Sequence, residues 1–174
     1  MKRSLMVICM VLALAPHSVA QPLAPPGYPL QGLGAIRVEV IPPTVIGRDV
    51  PELSATALQS AAEARLKEKG VPLFRAGRDR LIPGSPMPEL AYLWLRVSVV
   101  NSPTGPRGYF ANLRLMEPVT LWRGEKLKAT AATWDGSVSG PADQQDLVER
   151  VHQAVERVCN NFASDYLAAN SKHN

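Results

Sequence analysis

The segment from Leu90 to Val100, "LAYLWLRVSVV", alternates between two kinds of side chain. One face carries four aliphatic side chains: Leu93, Leu95, Val97 and Val99. The other face carries two aromatic and two polar side chains: Tyr92, Trp94, Arg96 and Ser98. A period of two is typical of a β-strand with one buried face. The segment therefore predicts a sheet with one dry side, and a dry side needs a second layer to cover it.

The residues after this strand extend the sheet. A turn, "NSPTGPRG", leads into "YFANLRLMEPVTLW", where Leu113 and Leu115 should face inward. "RGE" turns the chain again, and residues 126–134, "KLKATAATW", form the last strand of an antiparallel meander. Because strict alternation would bury Glu117, we expect a bulge or a strand break near Glu117 and Pro118.

The residues before the central strand predict a further strand and a helix. Ile36 to Ile41, "IRVEVI", alternates as a half-buried strand and stops at two prolines. In "DVPE", Asp49 can cap a helix and Glu52 can reach back to it. This helix should end near Lys69, with Gly70 as its left-handed stop. Its apolar stripe is Leu58, Ala62 and Leu66. "VPLFR" then predicts a weak strand, and residues 76–88 a loop with three prolines and two glycines.

A long amphipathic helix closes the sequence. Asp143 can cap it, and the stripe lasts to about Ala169, roughly 40 Å at 1.5 Å per residue. The stripe comprises Leu147, Val151, Ala154, Val155, Val158, Phe162 and Tyr166. A coiled coil is the alternative, but fewer than four heptads are present. The helix is long enough to lie diagonally across a whole sheet.

These elements predict an α+β two-layer sandwich of order β-α-β-β-β-β-α, with two helices on one face of a mainly antiparallel sheet. We expect one domain from 36 to 170, preceded by a Pro/Gly-rich tether over 21–35 and followed by a disordered tail at 171–174. The tether holds four prolines and three glycines, which favour extended chain over packed structure.

The first twenty residues have the pattern of a secretory signal peptide. Lys2 and Arg3 precede an unbroken apolar run from Leu5 to Ala15, which is short of the roughly 20 residues that span a bilayer. Small residues then lead to cleavage between Ala20 and Gln21. We expect a bacterial protein in the periplasm or outside the cell, with no stable transmembrane anchor after cleavage. An uncleaved interfacial anchor is the alternative.

Charge and cysteine content exclude several function classes. Without Lys2 and Arg3 there are 17 basic residues against 15 acidic ones, too small an excess for a nucleic-acid binder. Removal of Cys9 with the signal leaves Cys159 alone, so no disulfide can form within the chain, and we favour its partial burial over an intermolecular bond. Cys159 and His152 lie seven positions apart on one helix, about 10.5 Å, which is too far for a thiolate–imidazole dyad.

The sequence holds no HExxH, CxxC or GxSxG motif, and we predict neither a metal nor a cofactor nor an enzyme. Glu117 and Asp135 could face each other at strand ends as the carboxylate pair of a small secreted hydrolase, which is one alternative function. A soluble carrier of an apolar ligand, held between helices and sheet, is the other.

The outward face of the sheet is the candidate site. It groups aromatic and arginine side chains, the residue types that anchor protein interfaces. The predicted partner-binding residues are Tyr92, Trp94, Arg96, Arg114 and Trp122. Two structural interpretations compete with this one. The loop 76–88 could fold across the face, or the aromatic pairs could serve only to stiffen the sheet.

The element order over Ile36–Asn170 resembles that of bacterial envelope accessory domains. The resemblance runs through "IRVEVIPP", "LQSAAEARLKEKGV" and "LVERVHQAVERVCNNFASDYLAAN". Such domains include the lipopolysaccharide-assembly lipoprotein of the outer membrane and the amino-terminal domain of the Tol-system translocation protein. The resemblance implies a non-enzymatic role bound to an envelope protein or component. This chain departs from the lipoprotein group because Cys9 lies inside the apolar run rather than at the cleavage point.

Signal cleavage is directly testable. The protein recovered from its working compartment should begin at Gln21, because Ser18 and Ala20 supply the small residues that precede the cut. Intact-mass spectrometry of the purified protein measures this. A mass that retains Met1 would contradict the prediction and favour the anchor.

Overall fold

In a computed structural model, described over residues 30–34, 36–74, 91–121 and 127–171, the element order is β-α-β-β-β-α. The elements are β1 (Arg37–Gly47), α1 (Ala55–Glu68), β2 (Tyr92–Asn101), β3 (Arg107–Leu121), β4 (Leu127–Pro141) and α2 (Leu147–Asn170). The α+β class with two helices is confirmed. The predicted signal, most of the tether, the loop 76–88 and Trp122 lie outside the described residues.

The four strands form one sheet in the order β1-β2-β3-β4. β2, β3 and β4 pair antiparallel, which confirms the predicted meander, whereas β1 pairs parallel to β2. The predicted end of the first strand at Pro42 and Pro43 is wrong. β1 continues to Gly47 after a register shift between Ile41 and Thr44, because an edge strand tolerates prolines on its unpaired side. A parallel neighbour needs a crossover connection, and α1 lies within it.

The strand predicted in "VPLFR" is wrong. Leu73 makes only an isolated parallel bridge with Ile36. Two backbone hydrogen bonds hold it, from Ile36 N to the Pro72 carbonyl and from Phe74 N to the Ile36 carbonyl. Pro72 has no amide hydrogen with which to lengthen the ladder on its side.

The bulge expected near Glu117 and Pro118 lies slightly earlier, and β4 provides its extra residue. Leu115 pairs with Trp134 and Met116 with Ala132, so Thr133 is the additional residue. β3 continues unbroken through Pro118, because β2 begins opposite Met116, at Tyr92, and Pro118 has a ladder partner on one side only.

The predicted capping residue of α1 is wrong. Ser54 is the N-cap, and its hydroxyl accepts a hydrogen bond from Ala57 N at 3.2 Å. Asp49 instead accepts from the backbone of Val50, its neighbour, at 2.9 Å. An Asx side chain satisfied so locally cannot also cap a helix that begins six residues later. Gly70, with φ of +82°, confirms the left-handed stop.

The predicted cap of α2 is also wrong. Asp146 is the N-cap, and Asp143 N donates to its Oδ1 at 2.8 Å. Arg150 Nε donates to the other carboxylate oxygen at 2.9 Å, and this hydrogen bond lowers the pKa of Asp146. At the other end, Ser171 caps α2 through its backbone N–H, although it was predicted to belong to the tail.

The core lies between one face of the sheet and the two helices. Its floor includes seven buried apolar residues of β2 and β3: Leu93, Leu95, Val97, Val99, Ala111, Leu113 and Leu115. α2 packs over β3 and β4 and against α1, and its nine buried residues include the whole predicted stripe. α1 adds Leu58, Ala62 and Leu66, as predicted. Arg65 Nε on α1 donates to Asn160 Oδ1 on α2 at 2.7 Å and joins the helices at their polar margin.

Within the described residues, neither helix is both long and apolar enough to cross a membrane.

The packed region reaches back to Leu30, six residues before the predicted domain start. Leu30 is 1% exposed. Asn170 holds this segment at two points: Nδ2 donates to the Leu30 carbonyl at 2.8 Å, and Oδ1 accepts from Gly32 N at 2.9 Å. The Tyr166 hydroxyl donates to the Leu33 carbonyl at 3.0 Å. The end of α2 therefore clamps the last part of the predicted tether.

Leu30→Ala should lower the free energy of unfolding by about 2 kcal/mol or more, because it empties a fully buried site. Chemical denaturation of the mature chain measures this. Leu167→Ala is the matched control. Leu167 is 44% exposed on α2, and its truncation should change stability by less than about 0.5 kcal/mol. Equal, small effects of the two changes would show that residues 30–34 belong to a loose tether.

Candidate partner-binding face

The sheet turns one face to the helices, and we call the opposite one the outer face. β2 contributes Tyr92, Trp94, Arg96, Ser98 and Val100 to it. Their register partners on β1 are Arg37, Glu39, Ile41, Thr44 and Ile46. Their partners on β3 are Met116, Arg114, Asn112, Phe110 and Gly108. The outer face therefore contains four of the five predicted partner-binding residues, and Trp122, the fifth, lies outside the described residues.

An aromatic pair lies at the end of the outer face where β1 and β2 begin. The rings of Tyr92 and Trp94 are 5.5 Å apart between centroids and tilted by 54°. Trp94 Nε1 donates to Glu39 Oε2 at 3.2 Å, and Arg37 Nε lies 3.3 Å from Glu39 Oε1. Both rings are half-buried, so each offers a rigid flat surface that is already oriented.

A charged cluster follows on β3 and β4. Arg114 Nε donates to Asp135 Oδ2 at 2.6 Å. Asn112, buried, donates from Nδ2 to Asp135 Oδ1 at 2.7 Å and to the Gly136 carbonyl at 3.1 Å. An exposed ion pair of this kind stabilises the fold little, by about 0–1 kcal/mol. The cluster holds Arg114 in place beside Trp94, its register partner.

Arg96 differs from the other arginines of this face. Its side chain is exposed, and within the described residues it makes neither a hydrogen bond nor an ion pair. Its register partners are Ile41 and Asn112, neither of which carries a charge. A guanidinium in this position remains available to pair with an anionic group.

Sequence reasoning missed an apolar cluster at the other end of the outer face. Ile46 is 62% exposed, Val100 41% and Phe110 40%. They border a shallow depression whose other lining residues include Ser98, Gly108 and Ser139. The outward parity of Val100 and Phe110 in their strands was the available signal. Ile46 could not be added to them without knowing that β1 lies parallel to β2.

The two carboxylates of the hydrolase alternative do not form a pair. The alternation of β3 puts Glu117 on the side of Leu113 and Leu115, whereas Asp135 bonds to Arg114 on the outer face. Glu117 accepts a hydrogen bond from the Thr133 hydroxyl at the bulge. Across the described part of the chain, no three His, Cys, Asp or Glu side chains gather in a metal-binding group.

Cys159 is fully buried in the face of α2 that meets the core. Burial raises the pKa of its thiol to about 12, against a weaker opposing effect of Arg65. The burial is complete rather than the partial burial that the sequence predicted. A buried thiol that stays protonated at neutral pH is a poor nucleophile, because the thiolate is the reactive form.

No protein-family model matches the sequence, and comparison with curated proteins finds no match. Among solved structures, the PelC dodecamer of Paraburkholderia phytofirmans is similar, with TM-score 0.41, 15% identity, and coverage of 74% of this chain and 86% of that one. The hypothetical protein CT253 of Chlamydia trachomatis has TM-score 0.40 and 10% identity, and the match covers 78% of this chain and 99% of that one. A minor lipoprotein of Acinetobacter baumannii has TM-score 0.33 and 10% identity, and the match covers 79% of this chain and 93% of that one. Three of the similar structures are named as bacterial lipoproteins, but at these values none assigns this chain to a family or a role.

The thiol of Cys159 should resist alkylation in the folded protein. Iodoacetamide at pH 8 should modify the folded mature chain at least about a hundredfold more slowly than the urea-unfolded chain, because a pKa of about 12 leaves almost no thiolate and burial blocks access. Mass spectrometry of timed aliquots measures the rate. Modification at similar rates in the folded and unfolded chains would contradict this placement of Cys159.

Proposed function

We propose that this chain is an exported, non-enzymatic accessory or adaptor domain that binds another cell-envelope protein or component through the outer face. The observation that supports this most directly is the arrangement of Tyr92, Trp94, Arg96 and Arg114 on one face of the sheet, beside exposed apolar side chains. Aromatic and arginine residues are enriched in interfaces, and contiguous exposed apolar surface marks interaction sites.

Export follows from the predicted signal peptide, so the partner is sought in the periplasm or at the cell surface. The architecture suits a binding role, because the helices cover one sheet face only and the described helices and strands leave the other uncovered. The two alternative functions have less support. Glu117 and Asp135 bond to different partners, and the layer between helices and sheet is filled by fully buried side chains such as Phe162 and Leu95.

Replacing Tyr92 and Trp94 together by alanine should abolish crosslinking of the tagged protein to its envelope partner in intact cells, because it removes the rigid aromatic surface. Crosslinked bait and partners are purified through a C-terminal tag and mapped by mass spectrometry. Circular dichroism and thermal unfolding of the variant show that the fold survives.

Leu167→Ala, on the helix layer, is the control and should leave the crosslinks intact. Crosslinks that persist in the folded Tyr92/Trp94 double variant would contradict the proposal. So would crosslinks that map to the helices rather than to β2.

A further inference from the structure

The apolar depression and Arg96 lie next to each other on the outer face. Phe110 pairs with Ser98, and Arg96 lies two residues before Ser98 on the same strand face. Val100 lies two residues beyond Ser98, beside Ile46 on β1. At about 3.3 Å per strand residue, the Cα atom of Arg96 is therefore about 7 Å from that of Ser98, at the near side of the depression, and about 13 Å from that of Val100.

Charge decides what kind of occupant fits. Over its four-stranded part, the outer face carries three arginines, Arg37, Arg96 and Arg114, against the two carboxylates of Glu39 and Asp135. Both carboxylates already bond within the face, and Arg96 remains without a partner in the described structure. A second copy of this chain would bring the same positive excess against itself. An acidic occupant would pair with Arg96 and leave no buried charge unpaired.

Small side chains give the depression its shape. Ser98, Gly108 and Ser139 keep its centre low, while Ile46, Val100 and Phe110 stand at its border. Exposed apolar side chains around a recess lined by small residues accept apolar side chains from outside, because both sides lose contact with water. The depression is shallow, which suits one or two side chains of a peptide.

From this geometry we propose that the outer face binds a peptide segment of the partner protein that carries a carboxylate and nearby apolar side chains. The carboxylate pairs with Arg96, and apolar residues about two and four positions away in extended chain occupy the depression bordered by Ile46, Val100 and Phe110. This inference rests on the proposed function, since it names the chemistry of the segment that the outer face takes.

The test is a displayed library of random 12-residue peptides, panned against the mature chain. Selected peptides should be enriched in one Asp or Glu with apolar residues close by. A synthetic copy of the best peptide is then titrated by fluorescence anisotropy. Arg96→Glu and Phe110→Ser should each weaken its binding by about tenfold or more. Changing the peptide carboxylate to lysine should restore binding to Arg96→Glu while weakening binding to the unaltered protein.

Two controls match these changes on the helix layer. Arg157→Glu reverses an exposed arginine of α2 that makes no ion pair within the described residues, and Leu167→Ser removes an exposed leucine of the same helix. Each should leave the peptide affinity within about twofold. Circular dichroism and thermal unfolding confirm that all four variants are folded.

Several results would overturn the inference. The inference is wrong if the library yields no binding peptide or if the selected peptides lack carboxylates. It is also wrong if Arg96→Glu or Phe110→Ser leaves the peptide affinity unchanged. Another such result is binding to vesicles of phosphatidylglycerol that depends on Arg96 while no peptide binds, since this would make the occupant a membrane surface.

The experiments distinguish failure of this inference from failure of the proposed function. If Tyr92 and Trp94 are needed for crosslinking in cells but Arg96 and Phe110 are not needed for peptide binding, this inference is wrong and the adaptor role stands. If peptide binding follows the expected pattern but the Tyr92/Trp94 variant keeps its crosslinks, the peptide chemistry is supported and the proposed function is contradicted.

Discussion

The structure depends on the burial of one sheet face beneath the two helices. The central strands offer a row of leucines and valines. The two helices cover this side of the sheet, α2 over β3 and β4 with a stripe that ends in Phe162 and Tyr166, and α1 over β1. Each such side chain gains about 1.5–3 kcal/mol from complete burial, so the layers stabilise each other more than any polar contact in the molecule does. Because both helices are used on this side, the described helices and strands leave the opposite face uncovered. The candidate site is thus a consequence of how the core is closed.

The parallel placement of β1 determines what that free face contains. It brings Glu39 beside Trp94 at one end and Ile46 beside Val100 at the other. Without β1 in this register, the Trp94 indole N–H would lose the Glu39 carboxylate as its acceptor, and the depression would lose Ile46 from its border. Pro42 and Pro43 on this edge strand also lack amide hydrogens, which makes the edge a poor template for another strand and favours the face over the edge as the surface for a partner.

Much of the candidate site follows from strand periodicity. Tyr92, Trp94 and Arg96 share a face because they alternate with Leu93, Leu95 and Val97, and Arg114 joins them through a neighbouring antiparallel strand. The apolar depression could not be found in this way, because Ile46 reaches it through a parallel pairing between distant segments. The N-cap residue predicted for each helix was also wrong. Asp49 and Asp143 have suitable side chains, but local backbone bonding decided that Ser54 and Asp146 take that position.

The sequence by itself determined the period of each element, and hence which side chains are buried: alternation marked the strands, and the helical stripes marked α1 and α2. These are local properties, set by backbone geometry and by the cost of exposing apolar surface. Only the tertiary structure decided the parallel register of β1, the position of the bulge at Thr133 and the clamping of Leu30 by the end of α2. Each of these depends on contacts between distant segments, whose energies are small individually and are realised only when the core is closed.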